Sequence, residues 1–367
     1  MNYLTLSPQT DFVYLSIQIS FILKETDKQT IRSVEKIFTE NVKQQVTIIP
    51  HENPDGDAIG SALGLAEILI NAGHRALVVS PTDYPDFLKW IPSQAEVLVY
   101  GTDKAGAAEY MNNSGVLICV DFNEPKRAGN QLKIKIEKFP NTKILIDHHP
   151  YPADFSHFTI SEPSYSSTAE LVYDLINAIG LQKFINLNAA EALYTGILTD
   201  TGSFSHNVDA NTFRVVAELI GYGVQTDAIQ SAVYHNFSAD RMRLLGYCLS
   251  EKMKVFPDFR AAFISLSKKE LEEYNFKTGD TEGFVNYPLS INNIVFSALF
   301  IEKEGWVKAS FRSKGDFPVN HFSKNHFNGG GHKNAAGGET KLSLNDVQEF
   351  FTQLLPLYKH QLKETLI

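Results

Sequence analysis

Val46-Thr-Ile-Ile-Pro50 runs straight into His51-Glu-Asn-Pro-Asp55-Gly-Asp57, and these twelve residues decide the fold. The first five are short, apolar and β-branched, the pattern of a strand buried on both faces. The next seven set a histidine and two aspartates at that strand's carboxyl end. Residues 58–72 carry apolar side chains at helical spacing and stop at Gly73, a helix terminator. A buried strand, a polar turn and a helix in this order make half of a βαβ unit, so a parallel sheet is expected.

The same order recurs downstream. Residues 76–79, 116–120 and 143–146 read as further strands, and 168–179 and 189–198 as helices packed on them. The pattern loosens between Tyr234 and Asp240, which places a domain boundary near residue 235. Beyond it come a helical segment at 241–253, alternating segments at 260–265, 294–301 and 306–312, a glycine-rich stretch, and an amphipathic helix at 343–358. The expected fold class is α/β: a mostly parallel sheet with helices on both faces, then a smaller α/β domain.

The 367 residues are 43% hydrophobic and 20% charged, ordinary for a globular chain long enough for two cores. The net charge of -9 argues against a binder of duplex nucleic acid, which wants a basic face. Cys119 and Cys248 have no metal-type spacing, and Cys119 sits in an apolar run that reads as core. Two lone thiols fit a reducing compartment. No run approaches the ~20 apolar residues of a membrane span. Residues 12–23 are mildly apolar but broken by Ser16, Gln18 and Ser20, and carry no signal beyond a weak strand or a misplaced start. A cytoplasmic protein without a membrane partner is expected.

Three of the strands end in ionisable residues. Besides the first, Val116–Val120 leads into Asp121, and residues 143–146 lead into Asp147-His148-His149. Asp200 follows the helix at 189–198. Ligands bind at the carboxyl ends of open parallel sheets. That edge would gather Asp55, Asp57, Asp121, Asp147 and Asp200 with His51, His148 and His149. Desolvating even one unpaired carboxylate costs about several kcal/mol, and bound cations resolve the conflict. Mixed imidazole and carboxylate donors suit manganese, iron, cobalt or zinc better than calcium. The donor count exceeds one ion, so two divalent ions ~3.5–4 Å apart are expected, activating water for attack on phosphorus. Each piece alone has a plainer reading: Asp55 or Asp57 as a helix cap, Asp121 as a turn residue, Asp200 as a cap. Their joint occurrence at the strand ends of one sheet favours the metal site.

Residues 327–338 hold Gly329, Gly330 and Gly331 followed by His332 and Lys333. Consecutive glycines let a backbone present its N–H groups to a ligand. A helix starting near His332 would add an anion site, whereas a tight turn between strand and helix is the plainer alternative. No Gly-Lys-Ser/Thr follows at Walker spacing. Arg312, at the end of a strand-like segment, suits bidentate phosphate contact, as do Lys126 and Arg127 after Asp121, although an arginine at the surface is the default.

Taken together, His51-x3-Asp55-x-Asp57, Val120-Asp121, Asp147-His148-His149, Gly196-x3-Asp200-x-Gly202 and Gly329-Gly-Gly-His332 resemble the DHH phosphoesterase superfamily over residues 35–355. The chain is most similar to the short bacterial nano-RNases that also act as pAp phosphatases. The resemblance implies an N-terminal extension (1–30), a catalytic domain (31–232), a linker (233–244) and a substrate-binding domain with a mixed sheet (245–367), the active site lying in the interdomain cleft. It implies that His51, Asp55 and Asp121 hold one metal ion. Asp57, Asp121, His148 and Asp200 hold the other, and both ions are expected to be Mn²⁺. Asp147 would orient the histidines, and His149 would meet the scissile phosphate, so that Asp57, Asp147 and His149 carry catalysis. Arg127, Arg312, the three glycines and His332 would bind substrate. The implied substrates are pAp and oligoribonucleotides of about two to five nucleotides, limited by the cleft. A cyclic or linear dinucleotide phosphodiesterase of the same superfamily is the alternative, and a sensor without activity would have lost ligands that are all present here. A homodimer through sheet edges is compatible with the pattern, with no residue arguing for it.

Overall fold

β1 (Gln45–Ile49) is the strand on which the first sheet is built. The computed structural model of the chain describes residue 23, residues 26–40 and residues 42–365. Of the mildly apolar segment at 12–23, only Leu23 is among them; it is buried in the first core. The chain divides into two compact units that meet at His235 and Asn236.

In the first unit β1 is joined by β2 (Arg75–Ser80), β3 (Val97–Val99), β4 (Val116–Val120), β5 (Thr142–Asp147) and β6 (Phe158–Ser161). The order is β3-β2-β1-β4-β5-β6, and every pairing is parallel. The helices are α1 (Lys28–Thr39), α2 (Gly56–Asn71), α3 (Lys104–Asn112), α4 (Gly129–Lys138), α5 (Thr168–Ala178), α6 (Leu187–Asp200), α7 (Ala210–Gly221) and α8 (Thr226–Tyr234). Alternate strand residues enter two cores. Val46, Ile48, Ile118 and Ile144 pack with α1, α2, α5 and α6. Ile49, Leu117, Cys119 and Leu145 pack with α3 and α4 on the other face. This two-sided burial is why the strands read as unbroken apolar runs, and it makes Cys119 a core residue as expected.

Strand order reverses between β1 and β4, which opens a crevice at their carboxyl ends. The helices that flank it approach closely along a glycine face, main chain to main chain at Gly60. Gly56, Gly60 and Gly64 recur every fourth residue along one face of α2, against α6. A Cβ on Gly60 would lie 2.5 Å from the Ala192 carbonyl oxygen, and one on Gly64 2.7 Å from Leu193 Cγ. Gly56 abuts Thr199, so the helices run antiparallel and the end of α6 covers the start of α2.

The second unit has α9 (Ala239–Tyr247), β7 (Met253–Phe256), β8 (Ala261–Leu266), α10 (Lys268–Glu273), β9 (Phe296–Glu302), β10 (Val307–Ser313), α11 (Val319–His326), β11 (Gly330–Gly331), β12 (Ala335–Thr340) and α12 (Leu344–Glu364). Its sheet, β11-β12-β10-β9-β8-β7, is mixed: β8 and β9 are parallel and the other pairs antiparallel. The segment expected as one helix at 241–253 ends as a helix at Tyr247. A π turn at Cys248–Lys252 follows and hands over to β7 at Met253. The last helix, with Pro356 inside it, runs past its expected end at Tyr358 to Glu364.

No helix starts near His332. The glycine-rich stretch instead forms the β11–β12 hairpin, where the His332 N–H donates to the Ala335 carbonyl at 2.8 Å. The close backbone approach that the glycines permit is to this chain itself. A Cβ on Gly331 would lie 2.5 Å from the Ala335 carbonyl oxygen at a φ of 136°, and one on Gly338 2.5 Å from the Phe327 carbonyl oxygen. Gly330 alone faces open space. Among the described residues, no helix is long and apolar enough to cross a membrane.

Candidate active site

The acidic and histidine residues of the first unit converge at the crevice between β1 and β4. His51 follows β1; its Nδ1 lies 2.9 Å from the Glu52 carbonyl oxygen. Its Nε2 faces Asp121 Oδ2 at 3.5 Å and Asp55 Oδ1 at 3.8 Å. His148, after β5, repeats the arrangement. Its Nδ1 is 3.2 Å from the Tyr165 carbonyl oxygen. Its Nε2 faces Asp121 Oδ1 and Asp200 Oδ2 at 3.6 Å each and Asp57 Oδ2 at 3.9 Å. A carbonyl oxygen only accepts, so each Nδ1 carries a hydrogen and each Nε2 is aimed at carboxylates.

A lone pair facing carboxylate oxygens at these separations is repulsive unless positive charge sits between them. Donors ~2.1 Å from a shared ion stand roughly 3.0–3.5 Å apart, close to the spacings here. His51, Asp55 and Asp121 offer donor atoms within 4.8 Å of one another, and so do Asp57, Asp121 and His148. Asp121 belongs to both groups. The donor chemistry and its pinned tautomers fit a divalent cation at each group.

Each carboxylate is placed by its element. Asp55 caps α2, its Oδ1 accepting from the Asp57 and Ala58 N–H groups at 3.1 Å. The cap reading therefore holds for Asp55, which as a cap still stands within the cluster. Asp57, in the first turn of α2, accepts from the Thr168 N–H at 2.7 Å and the Ala169 N–H at 2.9 Å, at the start of α5. Gly196 makes room for it: a Cβ there would stand 2.9 Å from Asp57 Oδ1. Asp121 leaves β4 in the left-handed region at φ 63°, which aspartate tolerates better than most residues. Its Oδ1 accepts from Thr168 Oγ1 at 2.8 Å. Asp200 is the last residue of α6, where the helix dipole disfavours an anion, another reason for a cation nearby. Asp147 ends β5 fully buried, its Oδ1 2.7 Å from His149 Nδ1.

The electrostatics state the same conflict. Burial, then the charges of Asp121 and Asp200, push the Asp57 carboxyl well above its ordinary value. Burial, then Asp55, do the same to Asp121. Burial pulls His148 down, but Asp200, Asp121 and Asp57 raise it to about 9. Burial, with His148, Arg127 and His51, holds His149 well below the ordinary imidazole value. Metal-free, the cluster meets its charge with protons.

Arg127 lies in the 3-10 turn Pro125–Ala128, whose Arg127 carbonyl accepts the Glu52 N–H at 2.7 Å. Its charge is felt at His51, Asp55 and His149, which places it beside the cluster. Lys126 instead pairs with Glu124 at 2.7 Å. In the second unit Arg312 stands opposite Ala335 on β12, next to the hairpin that carries Gly329, Gly330, Gly331 and His332. Its Nη1 donates to the Phe311 carbonyl at 3.0 Å. Lys333 is tied to Asp316 at 2.7 Å. Sequence reasoning missed Tyr165, Thr168 and Ala169, which hold His148, Asp57 and Asp121. Their only signal is Ser166-Ser167-Thr168 before an apolar run, which reads as a helix cap; Ser167 is that cap.

Residues 45–197 match the DHH family, N-terminal domain, and residues 261–359 match the DHHA1 domain. The bifunctional oligoribonuclease and PAP phosphatase of Thermus thermophilus is 33% identical over 84% of this chain and 88% of its own length. The cyclic-di-AMP phosphodiesterase of Bacillus subtilis is 28% identical over 90% of this chain but 49% of its own length. The crystal structure of an exopolyphosphatase-related protein from Bacteroides fragilis superposes with a TM-score of 0.86 at 41% identity, covering 93% of this chain and 99% of that one. With its strand-end aspartates and histidines gathered at one switch point and the DHHA1 domain following, the chain belongs to the DHH family of phosphoesterases.

Proposed function

We propose that the chain hydrolyses short oligoribonucleotides to mononucleotides and removes the 3′-phosphate of pAp to give AMP. The carrying observation is Asp121, whose two oxygens face His51 on one side and His148 on the other. One carboxylate shared by two donor groups is the posture of a two-metal site. His51, Asp55 and Asp121 hold one divalent cation; Asp57, Asp121, His148 and Asp200 hold the other. Manganese is among the ions that these mixed donors suit. When bound, the cations supply positive charge against phosphoryl oxygens and make water more acidic.

The chain's own residues do the rest. Asp147 accepts from His149 Nδ1 and thereby fixes the ring, leaving His149 Nε2 to meet a phosphoryl oxygen or the leaving group. Asp57 keeps its place through the two N–H groups at the start of α5. Arg127 places positive charge next to the cluster. Residues 31–232 carry the chemistry. Residues 245–367 carry recognition, with Arg312, His332 and the open backbone at Gly330 taking the substrate's distal phosphate or nucleotide.

The similarity to a cyclic-di-AMP phosphodiesterase over 90% of the chain supports a second reading, a dinucleotide phosphodiesterase. A substrate panel with purified protein and Mn²⁺ separates the two. Turnover of short linear oligoribonucleotides and pAp well above that of cyclic dinucleotides and pyrophosphate is expected. A preference for the cyclic dinucleotide would replace the first reading with the second.

A further inference from the structure

We infer that Thr168 is a positioning residue that locks the Asp121 carboxylate in its bridging orientation and ties it to Asp57. The inference rests on the metal-site reading above. Thr168 is fully buried. Its Oγ1 donates to Asp121 Oδ1 at 2.8 Å, and its N–H donates to Asp57 Oδ2 at 2.7 Å. One residue thus reaches two carboxylates that approach from different elements, the end of β4 and the start of α2.

The hydroxyl matters because of what Asp121 must do. Its Oδ1 lies 3.6 Å from His148 Nε2 while its Oδ2 lies 3.5 Å from His51 Nε2. Rotating the carboxylate about its Cα–Cβ and Cβ–Cγ bonds would take one oxygen away from one donor group. A buried hydroxyl that donates to Oδ1 selects the rotamer in which both oxygens face outward to the two groups. The backbone adds to the restraint, since Asp121 N–H is held by the Ile146 carbonyl at 3.1 Å.

The clamp extends to the rest of its segment. Tyr165, three residues earlier, accepts from His148 Nδ1 through its carbonyl, and its hydroxyl donates to Asp174 at 3.0 Å. Glu170, two residues later, accepts from Thr212 Oγ1 at 3.0 Å and Asn211 Nδ2 at 2.7 Å. Asp174 accepts from Asn211 Nδ2 at 2.9 Å. Residues 165–169 therefore touch three of the proposed ligands and are fastened to α7 through Glu170 and Asp174. Thr168 is the member whose side chain can be altered while the backbone contacts stay.

The test compares full-length Thr168→Val, which removes the hydroxyl at constant shape, with Thr168→Ser, which keeps it. Thr195→Val is the control: Thr195 is equally buried but donates to the Glu191 carbonyl within α6. Mn²⁺ affinity is measured by titration calorimetry on metal-free protein, with thermal unfolding in chelator alongside. Thr168→Val is expected to weaken Mn²⁺ binding about 10- to 100-fold. Thr168→Ser and Thr195→Val should stay within about threefold of wild type. Thr168→Ala takes the place of valine if valine does not fold. Wild-type affinity in Thr168→Val overturns the inference, as does an equal loss in Thr168→Ser, which would trace the effect to packing. If wild type itself binds no Mn²⁺, the metal-site reading falls and this inference with it.

Discussion

The carboxylate cluster of the first unit and the phenylalanine core of the second are both buried, and they are stabilised in opposite ways. At the cluster, Asp57, Asp121 and Asp147 are buried beside His51 and His148, and the charges raise one another's proton affinity. In the second unit Phe296 packs against Phe317 at 4.9 Å, Phe322 at 5.0 Å and Phe351 at 5.3 Å between ring centroids. The aromatic core is complete without a partner and gains from every contact. The cluster is held open against its own repulsion by backbone N–H groups, and it needs positive charge to be satisfied. Interior volume spent on stability and interior volume spent on chemistry are told apart by whether the buried groups complete one another.

The sharpest way to break this contrast is Asp121→Asn. Asparagine tolerates the left-handed backbone and can still accept from Thr168. Phosphoesterase turnover with Mn²⁺ should fall roughly 10²–10³-fold, while the metal-free protein's unfolding midpoint should hold or rise, because a buried carboxyl that must either bind a proton or repel its neighbours is gone. A clear drop in that midpoint would mean that the cluster is stabilising on its own. Next comes Phe296→Ala, which should cost about 3–5 kcal/mol by urea unfolding; a loss below about 1 kcal/mol would show that the core collapses around the gap.

The mildest test is pH. In the metal-free protein His148 is raised from 6.5 to about 9. A raised imidazole stabilises the fold fully below its unfolded value and loses that contribution as pH climbs through about 9. Mn²⁺ needs the same Nε2 without its proton, so its affinity should increase from pH 6.5 toward 9 with proton release. Calorimetry in buffers of different ionisation enthalpy would register that release. Affinity independent of pH over this window would remove His148 from the ligand set.

Much of this was legible before the structure. β1, β2, β4 and β5 are apolar on both faces, so length and β-branching mark them, and acids at strand ends are a local signal that survives without tertiary knowledge. The edge strands β3 and β6 were not legible: Val97–Val99 is only half-buried and Phe158–Ser161 partly so, and neither carries a full apolar run. Gly329 to Gly331 gave a clear cue with an ambiguous meaning. Glycines that admit a ligand and glycines that admit a neighbouring strand look alike until the strand is known. Thr168 was silent because a threonine before a helix is explained by capping, although Ser167 performs that role.

The glycine face of α2 against α6 has a consequence for the proposed metal site. Asp57 rides near the start of one helix and Asp200 at the end of the other, so their span is set by a glycine seam in which main chain meets main chain at Gly60 and the side chains of Thr199 and Leu193 seat against Gly56 and Gly64. That seam acts as a caliper. Core mutations elsewhere can reshuffle rotamers without resetting its jaws, whereas a single methyl at Gly60 would meet the Ala192 carbonyl at 2.5 Å and force them apart.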